Sequence, residues 1–276
     1  MNIIDGKKIS KEYLSSLKER VEKLSFTPVF VDVIVGDDPV SLQYIGMKER
    51  RAQNCGINVN RVAVSGDATT DDVIVKLEEA LQNQDVCGVI VQLPLPDHID
   101  QKRVLDTVPS DVDVDVLSQT SSEKFYNNES KLTFPTARAV YELLQTVPHD
   151  KKTSHVVVIG RGILVGKPIA HILERDGYTF EVATRENPLT PEMLGKADVI
   201  LSATGVANLV TGEHLKPGVI IIDAGTSESS GGVVGDVDRE SVTEKAGYLA
   251  PVPGGVGPMT VAILLANVVE VAESRK

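Results

Sequence analysis

The sequence is poor in cysteine, in positive charge and in long apolar runs, and each shortage removes a class of function. Two cysteines, Cys55 and Cys87, occur in 276 residues with no C-x-x-C spacing, which argues against a disulfide framework and a cysteine metal site. Lys and Arg total 28 against 39 Asp and Glu, for a net charge of −11, and the basic residues are dispersed. A nucleic-acid binder needs a basic field, so no nucleic acid is expected as partner, although a locally positive pocket for a small anion remains open. No apolar run approaches membrane-spanning length, and Met1-Asn2-Ile3-Ile4-Asp5-Gly6 holds no apolar signal core. The expected location is cytoplasmic, with no membrane partner. The histidines (His98, His149, His155, His171, His214) show no metal-ligand spacing, so no metal is expected.

What is present is a globular composition, 42% hydrophobic and 24% charged, in a length that holds two modest domains. Tyr13, Leu14, Leu17, Val21 and Leu24 recur at helical spacing, with Ser10 as the expected N-cap. Residues 28–35 read as a strand, and Asp37-Asp38-Pro39 opens a helix that stops at Gly56. A strand at 57–64, a helix capped at Thr69 or Thr70 and an apolar strand at 86–92 follow. This order implies βαβ units and a largely parallel sheet. The polar stretch 117–132 marks the expected boundary between lobes. Beyond it come a helix at 137–144, strands at 155–159, 178–183, 198–203 and 219–223, and a last helix from Met259 to about Glu273. The expected class is α/β in two lobes, each a largely parallel sheet flanked by helices, the C-terminal one Rossmann-like.

The first strand of the C-terminal series runs into Gly160-Arg161-Gly162-Ile163-Leu164-Val165-Gly166-Lys167-Pro168. Gly160 and Gly162 match the first two glycines of G-x-G-x-x-G, while Val165 takes the third position and Gly166 follows it. A strand that turns through glycines into a helix aims backbone N–H groups at a pyrophosphate; the bland alternative is a tight turn with no ligand. Ser202-Ala203-Thr204-Gly205 and Ile222-Asp223-Ala224-Gly225 also place small residues after apolar strands, where flat cofactors of parallel sheets lie. Arg161 and Arg185 favour NADP, because two guanidiniums suit one phosphate. Glu186 keeps NAD open as the alternative.

Ser41, Tyr44 and Lys48 share one face of the Asp38 helix. A Y-x-x-x-K pair also occurs on ordinary amphipathic helices. Short-chain dehydrogenases use the pair, but they place it after the dinucleotide motif, and here it comes first. More specific is the apolar strand that ends in Gln92 and continues Leu93-Pro94-Leu95-Pro96. Asp111, Asp113 and Asp115 alternate with valines, so in a strand all three face one side. A glycine–proline loop, Pro251-Val252-Pro253-Gly254-Gly255-Val256-Gly257-Pro258, feeds Met259-Thr260 and the last helix.

These residues, with Ile4-Asp5-Gly6 and Gly235-Asp236-Val237, resemble the bifunctional methylenetetrahydrofolate dehydrogenase/cyclohydrolase family of the bacterial FolD type nearly end to end. The resemblance implies oxidation of 5,10-methylenetetrahydrofolate with NADP, then hydrolysis of the methenyl product to 10-formyltetrahydrofolate. It makes Lys48 the general acid/base, Gln92 its hydrogen-bond partner, Tyr44 the residue that packs on the pterin, and Asp115 the acceptor for the pterin ring. Ser41, Leu93, Pro94, Pro253, Gly254 and Gly255 join them in binding substrate. Gly160, Arg161, Gly162, Val165, Gly166, Arg185, Ala203, Thr204, Gly205, Asp223, Gly225, Gly257 and Thr260 are the expected cofactor contacts. Residues 1–118 are expected to form a catalytic, folate-binding domain with the helix 259–276 packed back on it, and 133–258 the NAD(P) domain, with the active cleft between lobes. A homodimer, a cytoplasmic location and a link to purine biosynthesis are further implications. The chain departs from the family's usual residues at Gly162, usually serine, and at Val116, usually glycine. A monofunctional dehydrogenase and an inactive folate or nucleotide binder are the alternatives; the retained Lys48 and Gln92 argue against both.

Overall fold

The computed structural model describes residues 1–36, 39–229 and 232–275, with backbone alone at 39–44 and 228–229. Two compact units are present, one of Met1–Ser10 with Phe134–Ile263 and one of Lys11–Thr133 with Leu264–Lys276.

The chain opens with β1 (Asn2–Ile3) and α1 (Gly6–Val21). Ser10 does not cap α1. The Asp5 carboxylate accepts the N–H of Lys8 at 3.0 Å, and the buried Ser10 hydroxyl donates back to the Lys7 carbonyl inside the helix. A serine bonds to a preceding turn as readily as it caps one, so its presence alone did not mark the start.

In the Lys11–Thr133 unit, β2 (Val29–Val35) lies between β3 (Asn58–Val64) and β4 (Val86–Val91), all parallel. Every residue of β4 is buried, as in a strand covered on both faces. Between β2 and β3 runs α2 (Pro39–Asn54), which ends where Gly56 takes φ +81°; Asp37 and Asp38 lie outside the described residues. Thr69 is the cap of α3 (Thr70–Leu81): its hydroxyl accepts the Asp72 N–H at 3.2 Å, and the Asp72 carboxylate accepts the Thr69 N–H at 2.9 Å. After α4 (Gln101–Thr107), the polar stretch contains a helix, α5 (Gln119–Tyr126), capped by Ser118 and buried through Ser121 and Phe125.

The other unit is a Rossmann-like layer structure. After α6 (Pro135–Gln145) come β5 (His155–Ile159), α7 (Gly166–Arg175), β6 (Thr179–Ala183), α8 (Pro191–Lys196), β7 (Val199–Ser202) and β8 (Val219–Asp223). A hairpin of β9 (Ser227–Ser229) and β10 (Gly232–Val234), the short α9 (Arg239–Val242), β11 (Ala246–Ala250) and the start of α10 (Val256–Ser274) complete it. From Leu264 onward α10 belongs to the Lys11–Thr133 unit. The six-stranded sheet has the order β1-β11-β8-β7-β5-β6, with every pair parallel. Val157, Ile200, Ile221 and Leu249, from four neighbouring strands, share one buried cluster; each such side chain contributes roughly 1.5–3 kcal/mol on burial.

The helix α10 begins at Val256, three residues before the expected start, with Pro258 in its first turn. Its composition alone satisfies the length test for a bilayer span. Burial accounts for that composition: Val261, Leu265, Val268, Val269 and Ala272 are all inaccessible, as in a helix apolar on every side.

Candidate active site

The centre of β2 is Asp32, an acid in the otherwise apolar run Val-Phe-Val-Asp-Val-Ile-Val, with no exposed surface. A buried carboxylate requires partners, and two arrive from neighbouring elements. Gln92 is the first residue past β4, and its N–H donates to the Val33 carbonyl at 2.9 Å, extending the ladder by one residue. Its side-chain amide donates to Asp32 Oδ1 at 2.6 Å. From α2, Lys48 brings Nζ to 3.6 Å from Asp32 Oδ2, with only 3% of the residue exposed. Burial pushes the Asp32 carboxyl up and the Lys48 amine down, and their attraction opposes both shifts. Lys48 and Gln92 were expected from the sequence; Asp32, which links them, was not. The available signal was a lone acid in a strand buried on both sides.

The alternation of Asp111, Asp113 and Asp115 is not a strand, and the three do not face one side. The Pro109 carbonyl accepts both the Val112 and the Asp113 N–H at 3.0 Å, folding the segment into a turn with a single bridge to Val89. Asp111 is exposed. Asp113 is buried and accepts the N–H of Ser118 at 2.8 Å and of Leu117 at 3.3 Å. Asp115 is partly buried and its charge acts on Lys48; burial, then the Asp113 charge, pushes its pKa up to about 6. Next to it, the fully buried Val116 takes φ +61°. From α10, Asn267 donates to the carbonyls of Val114 and Thr133, each at 2.8 Å, and so ties the turn down.

Ser41 and Tyr44 lie on α2 with Lys48, but their side chains are outside the described residues. Leu93 is half-buried and Pro94 exposed, joined by a cis peptide bond. Pro253, Gly254 and Gly255 belong to the other unit.

In that other unit, strands β5, β6, β7, β8 and β11 stand in the spatial order 2-1-3-4-5. The switch point lies between β5 and β7, where such sheets bind ligands beyond the strand ends. Gly160 and Ala203 meet there: a Cβ on Gly160, at φ +97°, would be 2.6 Å from the Ala203 carbonyl oxygen. Val165 occupies the third position of the glycine motif, but Gly166 performs that position's task, since a Cβ on it would be 2.2 Å from the Gly160 carbonyl. Gly162 is exposed, with open space where a Cβ would stand. No side chain caps the first turn of α7. There the Lys167 N–H donates to the Gly162 carbonyl at 3.0 Å and Pro168 has none, so the turn offers a phosphate chiefly the N–H of Gly166. This arrangement fits a dinucleotide.

Arg161 and Arg185 are exposed beyond the strand ends. Glu186 shares their surroundings: its carboxyl is held low first by its own N–H and the Thr184 hydroxyl, then by Arg185 and Arg161. Thr204 and Gly205 follow β7, and the Thr204 N–H donates to the buried Asp236 at 2.7 Å. Asp223 is turned inward, its carboxylate accepting the N–H groups of Gly225, Asp236 and Val237 at 3.0–3.1 Å. Its pKa is pushed up to about 6 by burial. This side chain braces the loop. Gly257 is exposed, and Thr260 donates to the Val256 carbonyl at 3.2 Å. Among the described residues no group of three or more His, Cys, Asp or Glu is placed to hold a metal ion.

Comparison with known proteins bears on both units. Family models described as the tetrahydrofolate dehydrogenase/cyclohydrolase catalytic domain and its NAD(P)-binding domain match residues 4–115 and 135–276. The chain is 39% identical to the bifunctional protein FolD of Halothermothrix orenii over 97% of its length and 96% of that protein. It superposes with a TM-score of 0.95 on the bifunctional FolD enzyme of Campylobacter jejuni, 33% identical with both chains fully covered. The FolD enzyme of Trypanosoma brucei, solved with NADP cofactor and inhibitor, is 30% identical with a TM-score of 0.91, over 99% of this chain and 97% of that one.

Proposed function

This chain belongs to the tetrahydrofolate dehydrogenase/cyclohydrolase family as a bifunctional enzyme of the FolD type, and we propose that it oxidises 5,10-methylenetetrahydrofolate with NADP and hydrolyses the methenyl product to 10-formyltetrahydrofolate. The observation that carries this reading is the buried Lys48, seated on Asp32 beside Gln92. Oxidation removes a hydride from the one-carbon bridge and needs positioning more than acid–base help. Hydrolysis needs water activated and a proton moved. Lys48 supplies that base: a desolvated ammonium near a cationic substrate loses its proton readily.

Gln92 orients the lysine side of the site, Tyr44 packs on the pterin and Asp115 accepts its hydrogen bonds. Ser41, Leu93 and Pro94, with Pro253, Gly254 and Gly255, complete the substrate contacts. We assign the folate chemistry to residues 11–133 with 264–276, and the cofactor to 134–263. These bounds replace the 1–118 with 259–276 and the 133–258 expected from the sequence, because β1 pairs with β11 and Met1–Ser10 fall in the same compact unit as that sheet. There the Gly160–Gly166 turn receives the pyrophosphate, Ala203, Thr204, Gly205, Gly225, Gly257 and Thr260 line the cofactor's path, and Arg161 and Arg185 favour the NADP phosphate. Bound there, a nicotinamide dinucleotide supplies the hydride acceptor. A homodimer in the cytoplasm, providing formyl groups for purine synthesis, completes the proposal.

The test is a spectrophotometric assay with methylenetetrahydrofolate, run in parallel with NADP and NAD. Reduced cofactor should appear faster with NADP, and the methenyl product should decay faster than its spontaneous hydrolysis. Absence of reduction with either cofactor, from a folded sample, would refute the reading.

A further inference from the structure

Asp32 is placed where the fold itself does not need a charge. Its backbone pairs within the sheet, its side chain is fully buried, and Oδ2 has no hydrogen-bond partner among the described residues. An apolar residue would complete the strand at lower cost, since a buried charge is tolerated only where partners offset its desolvation. The two groups that meet it are those assigned to hydrolysis. The geometry points to Asp32 as a positioning residue that holds Gln92 on Oδ1 and accepts the Lys48 proton on Oδ2, leaving Lys48 a neutral base when a cationic substrate binds. This inference rests on the cyclohydrolase reading above.

The 2.6 Å bond from Gln92 fixes the carboxylate's rotation and presents Oδ2 to Nζ at 3.6 Å, a few tenths of an ångström beyond hydrogen-bond length. Desolvation acts on both members in the direction of the neutral pair. Other charges face them: Asp115 and, behind it, Asp113 from the turn, Glu49 from α2, and Arg61 from β3, which pairs with Glu49. In the free enzyme this excess of acids favours the ammonium form. A methenyl cation added to the site reverses that balance.

In the step itself one N–H bond of Lys48 breaks and an O–H bond forms at Asp32 Oδ2, so no net charge leaves the pair. The neutral Nζ then takes a proton from water as the water oxygen adds to the methenyl carbon. As the adduct opens to the formyl product, its hydroxyl proton passes to the departing ring nitrogen. Asp32 then releases the one proton that hydrolysis yields overall.

The test compares wild type with Asp32→Asn, which keeps an acceptor for Gln92 but takes no proton, and Asp32→Val, which restores an apolar strand. Lys48 is followed by carbon NMR of lysine labelled at Cε, its signal assigned by loss in Lys48→Met. The Lys48 titration should move by about one pH unit or more in both variants, an opposite charge at this range being worth that much. Cyclohydrolase kcat should fall roughly 10²-fold with a smaller change in KM, its pH profile should shift, and hydride transfer should fall by a smaller factor. An unmoved Lys48 titration, or a wild-type kcat and pH profile in Asp32→Asn, would overturn the inference. Wild type that fails to speed methenyl hydrolysis would overturn the functional reading instead, while the titration would still decide the pairing.

Discussion

Gly6 and Gly255 meet backbone against backbone, so closely that a Cβ on Gly6 would lie 1.8 Å from the Gly255 carbonyl oxygen. The first turn of α1 therefore rests directly on the loop that carries Pro253 and Gly254. Backbone cannot yield as a side-chain tip can. Gly6→Ala should cost roughly 3 kcal/mol, the upper end of overpacking penalties, and displace the loop. Urea denaturation checks the first effect, and a raised KM for the folate checks the second.

Lys48→Met separates the two reactions. Cyclohydrolase turnover should drop by roughly 10²–10⁴, the usual weight of a positioned acid–base group, with hydride transfer less affected. Single-turnover assays of each step provide the comparison. Equal losses in a folded variant would remove the separate role of Lys48.

Asp115 and Asp223 give stability a definite pH slope. Both have folded-state pKa values pushed up to about 6, above an unfolded value near 3.9. From about pH 4 to pH 6 the folded state keeps protons that the unfolded chain has already released. Their contribution is therefore complete below pH 4 and lost as pH rises through 6, with an upper limit on the order of 3 kcal/mol for each group. Urea midpoints measured at close pH intervals should show this decline superimposed on other ionisations, and Asp223→Asn should flatten it. An unchanged slope in that variant would exclude Asp223 as a source.

The strands β5, β7 and β8 of the Rossmann-like unit were legible as short, buried apolar runs closed by small residues, and β6 was legible although only partly buried. The strand β11 and the β9–β10 hairpin, shorter in apolar content, were not. What escaped detection shares a physical cause. Asp32 was read as part of a strand, since a strand's pattern does not reveal what a lone acid in it will meet. The Asp111–Asp115 alternation has period two in a strand and in this turn alike, and only the bonds to Pro109 and from Ser118 separate them. The strand Asn2–Ile3 is too short to show a period and exists through its pairing with Tyr248 and Leu249. Gly166 shows that a motif's task can move one residue along the chain while its geometry is kept.

Val116 offers an inverted mutational order. A β-branched residue at φ +61° carries roughly 1–2 kcal/mol of strain, while its burial contributes about 1.5–3 kcal/mol. Val116→Gly loses the burial but relieves the strain, whereas Val116→Ala loses most of the burial and keeps part of the strain. The glycine variant should be at least as stable as the alanine variant, contrary to ordinary buried positions. Thermal denaturation of the pair decides it.

Asn267→Leu removes the hydrogen bonds from α10 to the Val114 carbonyl, inside the Asp113–Asp115 turn, and to the Thr133 carbonyl. Stability should fall by roughly 2 kcal/mol, since a buried and a part-buried carbonyl lose their partner at once. Folate KM should rise as the Asp115 turn loosens. Unchanged stability and KM would show that the clamp is dispensable.

The same clamp has a consequence for how the protein is made. Asn267 lies 153 residues after Val114, and nearly all the intervening chain belongs to the other unit. During synthesis the strands carrying Asp32 and Gln92 emerge first, yet the turn carrying Asp115 must wait for its tether until a second sheet has been translated. A long-range contact of this kind forms late, so the folate pocket should mature after the nucleotide fold, and a stalled ribosome would hold a chain able to bind dinucleotide before it could grip a pterin.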